Sequence, residues 1–293
     1  MSRPSRRRFL AGGLVGAGVL AGAGVGVERG LLPGRRRIYT GLGLNGADTS
    51  LPTSEPGSQV SGSLDSEHRK TQVGWTIAYP PGARDGDALS VVVGLHGRFT
   101  DHMSLFGYHI GLDRFLAADP QPYAIAAVDG GDTYWHARAS GEDAGAMVVE
   151  EFLPLLAEHG LRTGRIGLYG YSMGGFGALR LAGLLGPSRV AAVVAVSAAL
   201  WDRAADTAPD AFDDAADFAE HDVMGRQRDL DGIPVRLDCG RGDGFAPAVR
   251  RYRAGFGHQA EPAGGFQAGA HDDNYWRRVA PAELRFLGHH LTA

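Results

Sequence analysis

The most constraining stretch of this sequence is residues 170–174, Gly-Tyr-Ser-Met-Gly, which has the pattern G-x-S-x-G around Ser172. An apolar run of strand length precedes it, and helically spaced apolar residues follow it as far as Gly186 and Pro187. Two glycines that flank a serine permit a strained turn that lifts the serine side chain out of a sheet. The context predicts a strand, a tight turn and a helix, with an ordinary turn in a glycine-rich chain as the alternative.

The chain is long enough for one large domain. It has 293 residues, of which 44% are hydrophobic, and this is sufficient for a single α/β core. The formal net charge of −4 gives no indication of a surface that binds nucleic acid. A single cysteine, Cys239, excludes an internal disulfide.

Short apolar runs alternate with helical patterns over most of the chain. Such alternation predicts an α/β fold with a mostly parallel sheet and helices on both faces. Val73 to Tyr79 alternates as a strand with one buried face does. The predicted buried strands are 89–95, 123–128, 165–169, 190–196 and 233–239, and the predicted helices include 105–118, 142–156 and 246–256.

Ser172 needs a base and an acid if its hydroxyl is to act as a nucleophile. Asp243 lies in the loop after the last predicted strand and is the preferred acid, while Asp238, inside that strand, is the alternative. Among the later histidines, His271 lies in a loop before the terminal helix and is the preferred base. The order serine, acid, histidine is the one that this chemistry uses on parallel sheets of this type.

Two backbone N–H groups are expected to face the oxyanion that forms when a serine attacks a carbonyl. One is that of Met173, directly after the serine, and the other is that of Arg98 or its neighbour Phe99, after the strand 89–95. His96 has no second ligand at a useful spacing, so the sequence predicts neither a metal nor another cofactor.

The first 27 residues predict export. The run from Ser5 to Leu10, Ser-Arg-Arg-Arg-Phe-Leu, followed by an apolar stretch, is similar to the twin-arginine signal. The expected organisation is a signal or anchor at 1–27, a spacer at 28–56 and the folded domain at 57–293. Cleavage is left open, and with it the choice between a secreted protein and one that associates with the membrane through its N-terminus.

Four motifs together resemble one group of enzymes. They are the residues 170–175, His96-Gly97-Arg98, the segment 129–136 and the segment 271–276. They resemble the putative-esterase family of α/β-hydrolases, which contains esterase D (S-formylglutathione hydrolase), feruloyl esterases and mycolyltransferases. The resemblance covers roughly residues 70 to 290 and implies the α/β-hydrolase fold. It also implies a nucleophile at Ser172 and a base at His271, with Asp243 where some members carry Glu.

The expected function is that of an exported serine esterase or acyltransferase that forms an acyl-enzyme. The expected substrate is a small-molecule or lipid ester, with water or a sugar hydroxyl as the acceptor. A small cap is predicted over the site at 201–231, and Trp135 and Trp201 are candidates to line the pocket or to serve in packing. The alternatives are a catalytically idle envelope-binding protein and a serine peptidase on the same fold.

Overall fold

The computed structural model describes residues 35–257 and 260–292. The expected signal at 1–27 and the first part of the expected spacer, 28–34, lie outside the described residues. Within the described ranges no helix combines the length and the apolar character needed to cross a bilayer.

The core is a sheet whose described part has eight strands in the order β1-β2-β4-β3-β5-β6-β7-β8. β1 and β2 are antiparallel to their neighbours, and the pairs from β4 through β8 are parallel. The strands are Gln59–Ser66, Thr71–Ala78, Ser90–Leu95, Tyr123–Val128, Arg162–Tyr171, Val190–Val196, Val235–Gly240 and Ala263–Gln267.

Helices cover both faces of this sheet and enclose two apolar clusters. The described α-helices are α1 Arg35–Gly41, α2 Leu112–Ala118, α3 Ala144–Ala146, α4 Leu153–Glu158, α5 Met173–Leu185, α6 Ala215–His221, α7 Ala246–Ala254 and α8 Asp273–Leu291. A π-helical stretch, Met147–Phe152, joins α3 to α4. This arrangement confirms the predicted α/β-hydrolase fold class.

β4 and β6 have their predicted ends because every residue in them is apolar and is covered on both faces. β4 and β6 are buried at every position. Helix α5 ends at Gly186, whose φ of 71° suits only glycine without strain. Because β3, β5, β6 and β7 are parallel, their carboxyl ends lie at the same edge of the sheet, where the candidate site lies.

Three sequence predictions need correction. The sequence predicts no strand at 59–66, but this segment forms the edge strand β1. A further strand, β8, lies between α7 and His271. The single helix expected at 105–118 is a short 3₁₀ turn, His102–Leu105, followed by α2, because Gly107 and Gly111 between them adopt φ of 61° and 75°.

Part of the expected spacer is docked on the domain. Arg278 of α8 donates to the carbonyl of Asn45 at 3.2 Å, and Asn274 donates to the Asp48 carboxylate at 3.0 Å. Leu51 packs against the apolar cluster beneath α2 and α8. Residues 45–51, termed the arm below, thus lie along the helix that follows the candidate base.

Candidate active site

Ser172 stands at the turn between β5 and α5. Its backbone has φ 54° and ψ −120°, a conformation that costs a non-glycine residue free energy and is typical of the strained turn the motif predicts. A side chain on Gly170 would overlap the backbone of Gly174, and one on Gly174 would overlap the carbonyl of Leu95. The two glycines are needed because the helix starts in direct contact with the strands.

The structure brings the three predicted side chains together in one chain of hydrogen bonds. The Ser172 hydroxyl lies 2.9 Å from Nε2 of His271. Nδ1 of His271 lies 2.8 Å from Oδ2 of Asp243. With Nδ1 protonated, His271 donates to the carboxylate and presents the Nε2 lone pair to the hydroxyl, which is the tautomer that a general base requires.

Asp243 is buried, with 1% of its surface exposed. Burial alone would raise the pKa of its carboxyl, but the facing His271 imidazole and the N–H of Phe245, 2.8 Å from Oδ1, lower this pKa below its ordinary value. The carboxylate is therefore held charged beside the imidazole. Asp238, the alternative acid, instead pairs with Arg236 at 2.6 Å within β7.

The two predicted oxyanion donors are placed by the turn after Ser172 and by the loop after β3. Among the described residues, the backbone N–H groups of Met173 and Arg98 have no hydrogen-bond acceptor. The N–H of Phe99, which the sequence left as the alternative, donates to Asp132 at 2.7 Å. Of the two candidates in this loop, Arg98 is therefore the one with a free donor.

The loop that carries Arg98 is held from both sides. His96 lies with Nδ1 2.8 Å from the Gly97 carbonyl and with Nε2 2.9 Å from the N–H of Gly130, so the tautomer with Nδ1–H satisfies both contacts. Thr100 donates to the same Gly97 carbonyl at 2.7 Å and lies 2.9 Å from the Tyr171 hydroxyl. Sequence reasoning missed these supporting roles, although Tyr171 stands inside the motif itself.

The tyrosine of the motif acts as a fixed donor. Burial raises the pKa of Tyr171, so its hydroxyl keeps its proton and donates to Ser104 at 2.8 Å. The 171 side chain thus links the strand that carries the serine to the loop that carries Arg98. This link fixes the distance between the two oxyanion donors.

The two candidate pocket tryptophans are placed differently. Trp135 is fully buried, its ring lies 5.1 Å from that of His96, and a side chain on Gly177 would meet it, so it packs beneath the oxyanion loop and does not line an open pocket. Trp201 is partly exposed, and its ring lies 5.5 Å from Phe245, which in turn lies 5.4 Å from His271. Trp201 is therefore the tryptophan within reach of a bound substrate.

The segment 201–231, termed the cap, contains α6 and two 3₁₀ turns, Ala204–Asp206 and Gln227–Leu230. Its Phe212 and Trp201 contact the ring of Tyr134 at 6.1 Å and 5.6 Å. Arg138 forms a salt bridge of 2.8 Å with Asp213 of the cap. Aromatic contacts and surface ion pairs therefore join the cap to the loop after β4.

This arrangement has the parts that acyl transfer needs. A hydroxyl lies against a base, a buried carboxylate orients the base, and the N–H groups of Met173, next in the chain, and of Arg98, in the loop after β3, have no acceptor among the described residues. Within this chain of hydrogen bonds, His271 and Asp243 are the side chains of a type that can also bind a metal. The geometry is that of nucleophilic catalysis by a serine.

Comparison with known proteins agrees with this fold. The sequence pattern of the α/β hydrolase fold family matches residues 145–238, and no curated protein sequence matches the chain. A ferulic acid esterase is 20% identical with a TM-score of 0.67 and covers 81% of this chain and 99% of its own. An S-formylglutathione hydrolase from Agrobacterium tumefaciens is 19% identical with a TM-score of 0.69 and covers 84% and 100%.

A third similar structure is FphF, a fluorophosphonate-binding serine hydrolase of Staphylococcus aureus. It is 18% identical with a TM-score of 0.67 and covers 80% of this chain and 99% of its own. Identities this low establish a common fold. The chain therefore has the α/β-hydrolase fold, and the similar structures include a ferulic acid esterase and an S-formylglutathione hydrolase, as does the family that its motifs resemble.

Proposed function

We propose that the chain is a serine hydrolase that cleaves carboxylic esters through an acyl-enzyme. The observation that carries the proposal is the continuous path from the Ser172 hydroxyl through His271 to the buried Asp243, at 2.9 Å and 2.8 Å. The similar solved structures named as esterases and serine hydrolases support the same class of reaction.

In the first half of the reaction the Ser172 oxygen attacks the ester carbonyl, and Nε2 of His271 takes the hydroxyl proton. The N–H groups of Arg98 and Met173 stabilise the oxyanion. The intermediate collapses when His271 gives this proton to the leaving alcohol, and Ser172 is left acylated. Asp243 stabilises the imidazolium that exists between the two transfers.

In the second half an acceptor hydroxyl attacks the acyl-enzyme by the same route. We propose water as this acceptor, which gives a free carboxylic acid, and a small-molecule ester as the substrate. A sugar hydroxyl in place of water would make the protein an acyltransferase. Phe245 lies next to His271 and Trp201 lies next to Phe245, and these two rings are the apolar surface that an acyl or alcohol group would contact.

The test is labelling of the full chain with a fluorophosphonate, followed by turnover of p-nitrophenyl esters of increasing acyl length. Ser172→Ala should abolish labelling and reduce turnover by roughly a millionfold, because no other group replaces the nucleophile. Ser63→Ala, which removes an exposed serine of β1, is the matched control and should behave as wild type.

Four outcomes would change or narrow the proposal. Labelling of Ser172→Ala as strong as that of wild type would refute it. A folded wild-type chain that is not labelled would support the alternative function, a catalytically idle binding protein. Product analysis with added sugars separates hydrolysis from acyl transfer, and cleavage of peptide amides at rates comparable with esters would identify a peptidase.

We also propose that residues 1–27 direct export by the twin-arginine route, on the basis of the Ser5 to Leu10 motif. Replacement of Arg6 and Arg7 by lysine should retain the protein in the cytoplasmic fraction. Arg36→Lys with Arg37→Lys, outside the motif, is the control. Equal export of both variants would exclude this route.

A further inference from the structure

Three metal-ligating side chains meet between the cap and the loop after β4, outside the hydrogen-bonded triad. Asp217 and His221 are one turn apart on α6, so they share a face of that helix. His136 approaches them from the loop. The side chains of His136, Asp217 and His221 are only 0%, 12% and 10% exposed.

Their ligand atoms are close enough for one ion. Nε2 of His136 lies 3.2 Å from Oδ2 of Asp217, and Nδ1 of His221 lies 2.8 Å from Oδ1 of the same carboxylate. One ligand atom from each of the three residues lies within 4.8 Å of the other two. A tetrahedral zinc ion holds its nitrogen and oxygen ligands at about 2.0–2.2 Å, and hence roughly 3.4 Å apart. Small side-chain movements would reach that geometry.

Both ring nitrogens of His136 face hydrogen-bond acceptors. Its Nδ1 lies 3.1 Å from the Tyr134 carbonyl, while its Nε2 faces the Asp217 carboxylate, and both partners are acceptors. A neutral imidazole has one N–H and satisfies only one of them. When Nδ1–H donates to the carbonyl, the Nε2 lone pair is directed at Asp217, as in histidines that bind a metal and donate through the other nitrogen.

The two imidazole rings are also close to each other. The rings of His136 and His221 lie 4.6 Å apart, so both can reach one ion together with the Asp217 carboxylate. One cation bound by two imidazole nitrogens and one carboxylate oxygen would satisfy all three side chains with a single centre.

We propose that His136, Asp217 and His221 bind a divalent transition-metal ion of the zinc class, which fastens the cap to the loop after β4. Two imidazole nitrogens and one carboxylate oxygen are a donor set that suits zinc. The proposed role of the ion is structural. It would fix the ring of His136, on which Phe212 of the cap stacks at 5.0 Å, and would thereby hold the cap aromatics in place.

Sequence reasoning had no basis for this site, and it predicted none. Asp217 and His221 have the i, i+4 spacing of a helical ligand pair, but His136 is 81 residues away from Asp217 along the chain. Only the folding of the cap against the loop brings the third ligand in. The proposal is independent of the proposed ester hydrolysis, because its test measures metal binding directly.

The test uses the full chain without an added histidine tag, stripped of metal by a chelator. Zinc chloride is titrated by calorimetry, and cobalt chloride is titrated with the visible absorption that reports tetrahedral coordination. Wild type should bind one equivalent of zinc, and zinc should raise its thermal unfolding midpoint by several degrees. Asp217→Asn and His221→Gln should each weaken zinc binding by roughly a hundredfold.

The matched control is His289→Gln, because His289 and His290 form another pair of neighbouring histidine rings, 4.9 Å apart on α8. This variant should bind zinc as wild type does. Asn and Gln are close in size to the Asp217 and His221 side chains that they replace, so both variants should remain folded, as judged by circular dichroism. Absence of zinc binding by wild type, or equal binding by wild type and Asp217→Asn, would overturn the proposal.

Discussion

The turn that carries Ser172 and the cap above it are built by different means. Around Ser172 the chain is fixed by backbone packing so close that Gly170 and Gly174 leave no room for a side chain. The cap has short helical turns, aromatic contacts of 5–6 Å and exposed ion pairs such as Arg203 with Asp206. Exposed ion pairs contribute little to stability, whereas close-packed backbone tolerates little change.

This difference separates two tasks. The sheet side places the atoms that react, and a shift there of a fraction of an ångström is costly. The cap side presents apolar rings to the substrate and can be altered without moving the nucleophile. Changes at the sheet side should therefore affect all substrates alike, and changes in the cap should affect substrates selectively.

After loss of the nucleophile itself, the largest effect is expected from Asp243→Asn. An amide at this position favours the wrong tautomer of His271, so kcat should fall by roughly ten-thousandfold for every ester, while the fold is kept. Steady-state kinetics with short and long esters checks this. A loss confined to one ester would contradict the division between the sheet and the cap.

Gly174→Ala should come next. The added methyl group would overlap the Leu95 carbonyl, so the free energy of unfolding should fall by about 3 kcal/mol or more, and fluorophosphonate labelling should slow. Gly164→Ala, on the same strand but with open space around it, is the control and should change stability by less than about 0.5 kcal/mol. Urea denaturation of both variants measures the difference.

Trp201→Ala addresses the cap. Loss of the indole beside Phe245 removes apolar contact, so kcat/KM for long or aromatic acyl esters should fall by roughly tenfold, while the rate of fluorophosphonate labelling and the turnover of acetate esters should stay close to wild type. An equal loss for all esters would show that the cap also positions the nucleophile.

The smallest effect concerns the helix layer beneath the sheet. Burial and the neighbouring Asp238 carboxyl raise the pKa of Glu283 well above its ordinary value. The folded state then holds a proton that the unfolded state releases, so stability falls as pH rises above about 4.3 towards the folded-state pKa. Glu283→Gln should remove this slope, which is at most about 1.4 kcal/mol per pH unit.

Urea denaturation of this variant at several pH values from 5 to 9 measures the slope. Glu158→Gln, at an exposed position of α4, is the control and should leave the slope unchanged. A Glu283→Gln variant with the wild-type pH dependence would contradict the assignment of the slope to this carboxyl.

Elements were predicted correctly from the sequence where their hydrophobic pattern is compatible with only one structure. β4 and β6 were predicted with their observed ends because an unbroken apolar run is covered on both faces. The edge strands were missed because their patterns are weak. β1 is mostly exposed, and β8 contains Gly264 and Gly265 with φ of 81° and 155°, which no strand pattern signals.

The candidate site shows the same division. The positions of Ser172, Asp243 and His271 followed from the order of elements along the chain. For Trp135 the sequence left pocket lining and packing open, because its residue type does not reveal that a turn with φ of 54° and 58° at 134 and 135 buries it under His96. Contacts between distant segments, such as those of the cap with the loop after β4, depend on the fold as a whole.

The docked arm shortens the connection between the proposed export segment and the domain. If 28–56 were free, its 29 residues would allow a reach of roughly 100 Å. Because α1 is helical and its Tyr39 already lies against Gly242 of the domain, the reach falls to roughly 30 Å. If the protein kept its apolar N-terminus in the membrane, its active site would reach substrates only within a short distance of the membrane surface. Removal of that segment would lift this restriction.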